Sequence, residues 1–195
     1  MFRRRSARTD PLATVQPAVL SDRWRSPVEH VLDARQRFSS LVESLRSGPV
    51  RERLTAVSEE IDRSVLATWV TAQRAQDLET ALERMDDVAA RERLKDARRK
   101  LTRLEDAGAD GQEIDAARGE VGLAEQQFGS ISRMADRLES IGTTLVRAQR
   151  DVDVSITLAT EVALSATGSD PTASLGRAVT ELSALQRALA DLDQL

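Results

Sequence analysis

The chain has no cysteine, no tyrosine, one histidine and only two lysines, Lys95 and Lys100, among its 28 basic residues. Without cysteine there are no disulfides, thiolate metal ligands or thiol nucleophiles, and a reducing compartment is permitted. One histidine, His30, supplies no metal-ligand cluster and leaves no room for most catalytic triads. Aromatics make up 3% of the chain (Phe2, Trp24, Phe38, Trp69 and Phe128), fewer than a β-sandwich or a large mixed core normally uses. Prolines stand only at 11, 17, 27, 49 and 171. A proline inside a helix costs about 3 kcal/mol, so the long stretches without one are free to be helical. Long apolar runs are missing too. The least charged segment, Val154 to Ser169, is interrupted by Glu161 and falls short of the roughly 20 apolar residues of a membrane span. The basic N-terminus carries no apolar stretch before Pro11 and Pro17, so it does not read as a secretory signal.

What the sequence does contain is period. With 41% hydrophobic and 31% charged residues, the composition suits amphipathic helices with one buried stripe. Val50, Leu54, Val57, Ile61, Val65, Trp69, Ala72, Ala75, Leu78, Leu82 and Met85 keep the 3-or-4 spacing of a coiled-coil seam. After a register shift around Asp86–Ala90 the pattern resumes at Leu94, and a second series runs from Ile114 to Val162. Ala107–Gly111 separates the two. Counting outward from that turn sets Leu104 level with Ile114, Leu101 with Ala117, Ala97 with Val121, Leu94 with Ala124 and Ala90 with Phe128. Two helices folded back about one turn have this symmetry. At 1.5 Å per residue, arms of about 55 residues would extend roughly 80 Å.

Two shorter helices flank the arms. Ser26, Pro27 and Glu29 form a capping box with proline at the first helical position, and Ser47-Gly48-Pro49 ends the segment that follows. Beyond Gly168-Ser169-Asp170-Pro171, a last stripe comprises Leu175, Val179, Leu182, Leu185, Leu189 and Leu192. The expected fold is all-α: a long antiparallel two-helix coiled-coil hairpin, with two shorter helices packing at its open end into a four-helix bundle. The expected helices cover 26–47, 49–106, 112–167 and 171–194 within one domain, 26–195, with the stalk tip at about 75–145. The weakly charged base of the third helix, Val154 to Ala166, would sit centrally in the bundle, with Trp69 and Phe38 in its core. Residues 1–25, rich in arginine and broken by proline, read as a disordered basic tail.

Chemistry is sparse. His30 reads as a solvated or half-packed histidine. Asp106–Gly111 has the beginning of a calcium loop, but Gly108 stands where an oxygen ligand belongs and Ala117 where the closing glutamate belongs. Residues 91–103 carry Arg91, Arg93, Lys95, Arg98, Arg99, Lys100 and Arg103, which alone would suggest a polyanion site. The hairpin register instead sets Arg103, Arg98 and Arg93 against Asp115, Glu120 and Glu125, so the patch reads as structural complementarity, and nucleic acid is not an expected partner. Arg3, Arg4, Arg5 and Arg8 have no matching acidic block and are the candidates for contact with an anionic membrane or a protein partner. Phe2 and Trp24 could insert beside them. No catalytic, cofactor-binding or metal site is expected.

The junction Ser47-Gly48-Pro49-Val50-Arg51-Glu52-Arg53-Leu54 resembles that of uncharacterised actinobacterial helical coiled-coil proteins over about residues 27–70. The resemblance implies a helical fold and a bacterial source, and no activity. In shape, the expected hairpin is similar to the core of phage-shock and related membrane-remodelling proteins, with a proline-broken tail in place of their amphipathic N-terminal helix. The expected role is a non-catalytic cytoplasmic scaffold or adaptor that binds partner proteins through bundle and stalk surfaces, with self-association open to it. The alternative is a peripheral stress or envelope-maintenance protein, held at the inner face of the membrane on anionic lipid by its arginine-rich tail.

Overall fold

A computed structural model describes residues 12–164 and 171–192. Among these residues the protein is all-helical, with no strand. A short 3₁₀ turn, Pro17–Val19, precedes five helices: α1 (Asp22–Ser44), α2 (Pro49–Glu83), α3 (Asp87–Asp106), α4 (Gly111–Leu164) and α5 (Pro171–Asp191). The chain divides into two compact units, one of Met1–Gln76 with Ile141–Leu195 and the other of Asp77–Ser140.

In the first unit, Val28, Val31, Ala34, Phe38 and Val42 of α1, Leu54, Val57, Ile61, Val65 and Trp69 of α2, Leu145, Ala148, Val152 and Ala159 of α4, and Leu182, Leu185 and Leu189 of α5 are buried within one compact unit. Phe38 and Trp69 are buried as their place on the stripes predicts. Arg35 Nε donates to Asp62 Oδ1 at 2.8 Å, tying α1 to α2 in a half-buried ion pair. The Gly48-Pro49 elbow does start a helix, and Arg51 Nη1 donates to the carbonyl of Leu45 at the end of α1, 3.3 Å away.

The N-terminal segment departs from expectation. Residues 12–25 are not a disordered tail: Leu12, Leu20 and Trp24 are buried, Trp24 with only 1% of its surface exposed. Helix α1 starts at Asp22 rather than after Ser26, with Ser21 as its N-cap and Pro27 inside it. Packing outweighs the cost of that proline, because Trp24, Pro27, Val28 and Val31 together bury one face. Gln76 of α2 holds the entry to the helix. Its Oε1 accepts from the Ser21 N–H at 2.6 Å and its Nε2 donates to the Val19 carbonyl at 3.2 Å.

The central helix also differs. Of the weakly charged base of α4, Ser155, Ala159 and Val162 are buried, Val154 is 47% exposed with Thr157 and Glu161 exposed beside it, and residues 165–166 lie outside the described residues. It is α2 that is buried across a wide arc, with Glu60, Ser64, Thr68 and Thr71 added to its apolar stripe. Few charges therefore did not mark the inner helix. Hydroxyls are buried cheaply when they bond to their own backbone: Ser64 Oγ donates to the Glu60 carbonyl and Thr68 Oγ1 to the Ser64 carbonyl, at 3.0 and 2.8 Å.

In the second unit the expected continuous helix 49–106 is two helices. Helix α2 ends at Glu83 and α3 begins at Asp87. Asp86 lies between them as an N-cap, its Oδ1 accepting from the Ala89 N–H at 2.8 Å. Gly108, with φ of 64°, occupies the left-handed region after α3 and lets the chain leave the helix there. Helices α3 and α4 turn their apolar sides inward: Ala90, Leu94 and Ala117 are buried, and Ala97, Leu101, Leu104, Ile114, Val121, Ala124 and Phe128 half-buried.

Candidate functional site

The charges flanking that apolar seam pair across it. Arg98 Nη2 lies 2.7 Å from Glu125 Oε1, Lys100 Nζ 2.8 Å from Glu120 Oε1, and Arg118 Nη2 3.1 Å from Glu105 Oε1. The pairs descend α3 as they climb α4. They are not the pairs that equal distance from the turn predicts: Arg98 reaches Glu125 instead of Glu120, and Arg93 meets Gln127 instead of Glu125. The cause is geometric. Side chains lean toward the N-terminus of their own helix. On α3 that lean carries a cation away from the turn, and on α4 it carries a carboxylate toward it, so the partner must start from a Cα further along α4.

Beside the seam is a groove of about 950 Å³. Leu94 and Phe128 supply apolar surface, and Arg91, Lys95, Arg99 and Arg103 bring cationic heads and methylene stems. The guanidinium of Arg91 lies over the Phe128 ring, 5.8 Å from its centroid. Among the described residues Lys95 and Arg99 pair with α3's own Glu92 and Asp96, at 3.3 and 3.6 Å, in exposed pairs that leave them on the surface. Helical spacing places residues 91, 95, 98, 99, 102 and 103 along one flank, and Phe128 is the one contribution from α4. The basic stripe was visible in the sequence. Its conversion into a groove required Phe128, whose level with Ala90 was the available sign.

The other candidates resolve into structure. His30 Nε2 and Asp153 Oδ2 are 2.7 Å apart, joining α1 to α4, with the imidazole side chain 39% exposed. This is the half-packed histidine expected, with a carboxylate partner that only the fold discloses. Among the described residues no three His, Cys, Asp or Glu side chains are grouped to hold a metal ion. Trp24 cannot serve as a membrane wedge, because it is buried against Gly142 of α4, with the Arg23 guanidinium 4.4 Å from its ring centroid. Arg25 donates to the Leu20 carbonyl at 2.6 Å and pairs with Asp22 at 3.0 Å. Arg3, Arg4, Arg5 and Arg8, together with Phe2, lie outside the described residues. No helix among the described residues is long and apolar enough to cross a membrane.

No family model, curated protein or solved structure matches the chain.

Proposed function

We propose that the protein is a non-catalytic intracellular scaffold or adaptor, built as a coiled-coil hairpin with a four-helix base, that binds protein through the surface of α3. The observation that supports this most is the groove at Leu94 and Phe128, an apolar floor edged by cations, in a unit where Arg98, Lys100 and Arg118 are already paired across the helices. A protein segment with an apolar side and carboxylates satisfies both features of such a groove.

The rival reading, a peripheral protein held on anionic lipid, now depends on Arg3, Arg4, Arg5 and Arg8, because Arg23 and Arg25 are engaged in packing. Two measurements separate the readings. A photo-cross-linking side chain at Thr102, exposed in the groove, should form protein adducts in cells. Co-sedimentation with anionic liposomes should be equally low for the full chain and for a chain without residues 1–11. Binding to liposomes that disappears with residues 1–11, with no protein adduct at 102, would replace the scaffold reading with the membrane one.

A further inference from the structure

Arg91, Lys95, Arg99 and Arg103 recur at every fourth residue of α3, and all four line the groove. Successive cations are therefore about 6 Å apart along the helix, in a row about 18 Å long. Their charge is weakly answered. Lys95 and Arg99 hold only exposed carboxylates of their own helix, at 3.3 and 3.6 Å. Among the described residues neither Arg91 nor Arg103 forms an ion pair: Arg91 lies over the Phe128 ring, and Arg103 Nε donates to the Arg99 carbonyl at 3.3 Å.

The same face has an apolar end. Val88, at 66% exposure, falls at helical spacing with Lys95 and Thr102, and so extends the Leu94–Phe128 floor toward the start of α3. The opposite wall is low. Gly122 and Gly129 share with Glu125 the flank of α4 that faces Arg98. A Cβ at Gly122 would meet nothing within 4 Å, and one at Gly129 only the Arg133 guanidinium at 3.4 Å, so another helix can approach α4 closely there.

We propose that the groove receives an acidic amphipathic helix of a partner protein, laid beside α3 and α4 as a third helix, its apolar stripe over Val88, Leu94 and Phe128 and its carboxylates facing Lys95, Arg99 and Arg103. The proposal rests on the reading of α3 as a protein-binding surface and names the class of its occupant. Carboxylates on successive turns of a helix recur at the same interval of about 6 Å as the cations. A helix also satisfies its own backbone, whereas an extended strand would bring unpaired N–H groups to a wall in which only Asp96 and Thr102 have side chains that accept. A nucleic acid fits less well. Glu92 and Asp96 weaken the field of the stripe, Arg98 is already answered by Glu125, and Val88 offers nothing to a phosphate backbone.

Fluorescence anisotropy tests it, with the full chain titrated against a labelled synthetic peptide. The probe has about 20 residues, enough for an isolated helix, with leucine at every third or fourth position and glutamates one turn apart beside them. The expected result is binding that weakens as salt rises, since the facing charges are exposed and screened. A scrambled peptide of the same composition should bind about tenfold less or worse. Arg99→Glu with Arg103→Glu should cost the same factor with helical content by circular dichroism unchanged, and Arg99→Lys with Arg103→Lys should keep most of the affinity. A peptide with lysine in place of glutamate should bind the reversed chain and not the natural one. No binding at low salt, equal binding of the scrambled peptide, or indifference to the reversal would each overturn the proposal. So would a DNA strand, or a second copy of the chain, that binds through Arg99 and Arg103 where the peptide does not. Protein adducts at Thr102 without peptide binding would end the acidic helix and leave the scaffold reading in place, and absence of both would end both.

Discussion

Gln186 of α5 donates its side-chain amide both to the main-chain carbonyl of Glu60, at 3.2 Å, and to the hydroxyl of Ser64, at 3.3 Å. Nearby, Ser183 donates to Glu60 Oε1 at 3.2 Å and Arg63 holds Oε2 at 2.7 Å, so a carboxylate that is only 8% exposed has both oxygens engaged. Truncating Gln186→Ala should destabilise the protein by about 1 kcal/mol, because the buried Ser64 hydroxyl oxygen loses its donor and the Glu60 carbonyl keeps only the Ser64 hydroxyl as a side-chain donor. Urea denaturation followed by circular dichroism reads the change, and Gln186→Glu should be no better, since it sets a carboxylate against the Glu60 carbonyl and close to the Glu60 carboxylate.

The N-terminal segment separates into a part the fold uses and a part beyond the described residues. Trp24→Ala removes a ring buried against Gly142 and should cost about 3–5 kcal/mol. Deleting residues 1–25 should lower the midpoint of thermal unfolding sharply, because Leu12, Leu20 and Trp24 leave with them.

Asp86 closes the break by capping α3. Asp86→Ala should cost about 1 kcal/mol, and Asp86→Asn much less, since the amide oxygen can still accept from Ala89 N–H. Hydrogen exchange should show the loss as faster exchange at residues 87–90.

The charge pairing of α3 with α4 can be read by double-mutant cycles. Alanine substitutions at Arg98 and Glu125 should couple by about 0.2–1 kcal/mol, the range of exposed pairs. The same cycle between Arg98 and Glu120 should give none, because Glu120 is held by Lys100. Coupling to Glu120 alone would restore the register counted from the turn.

Most of the helical content was readable from residues alone, since the seam from Leu54 to Ala75 and the Gly48-Pro49 elbow are local signals with local causes. The stop at Glu83 was less visible: the register shift at Asp86–Ala90 is common to a kink and to a stutter, and the Asp86 cap that distinguishes them is one hydrogen bond. The ordering of residues 12–25 depends on Gln76 and Gly142, which are 55 and more residues away in sequence. The inner position of α2 was obscured because Ser64, Thr68 and Thr71 look like surface residues until their bonding is known. Of the candidate groove, the basic stripe was evident, and the floor needed Phe128 brought in from another helix.

The hydroxyl protons of Ser64 and Thr68 are spent within α2, so toward α5 the Ser64 oxygen offers only an acceptor, which Gln186 takes. Leu182, Leu185 and Leu189 of α5 repeat at helical spacing, so apolar contact alone distinguishes its axial settings weakly, and the polar ties from Ser183 and Gln186 distinguish them by direction. The Gln186 amide then acts as a detent: remove it, and the expected defect is not only lower stability but a mixture of axial settings, visible as doubled or broadened NMR resonances from α5 in a chain that remains folded.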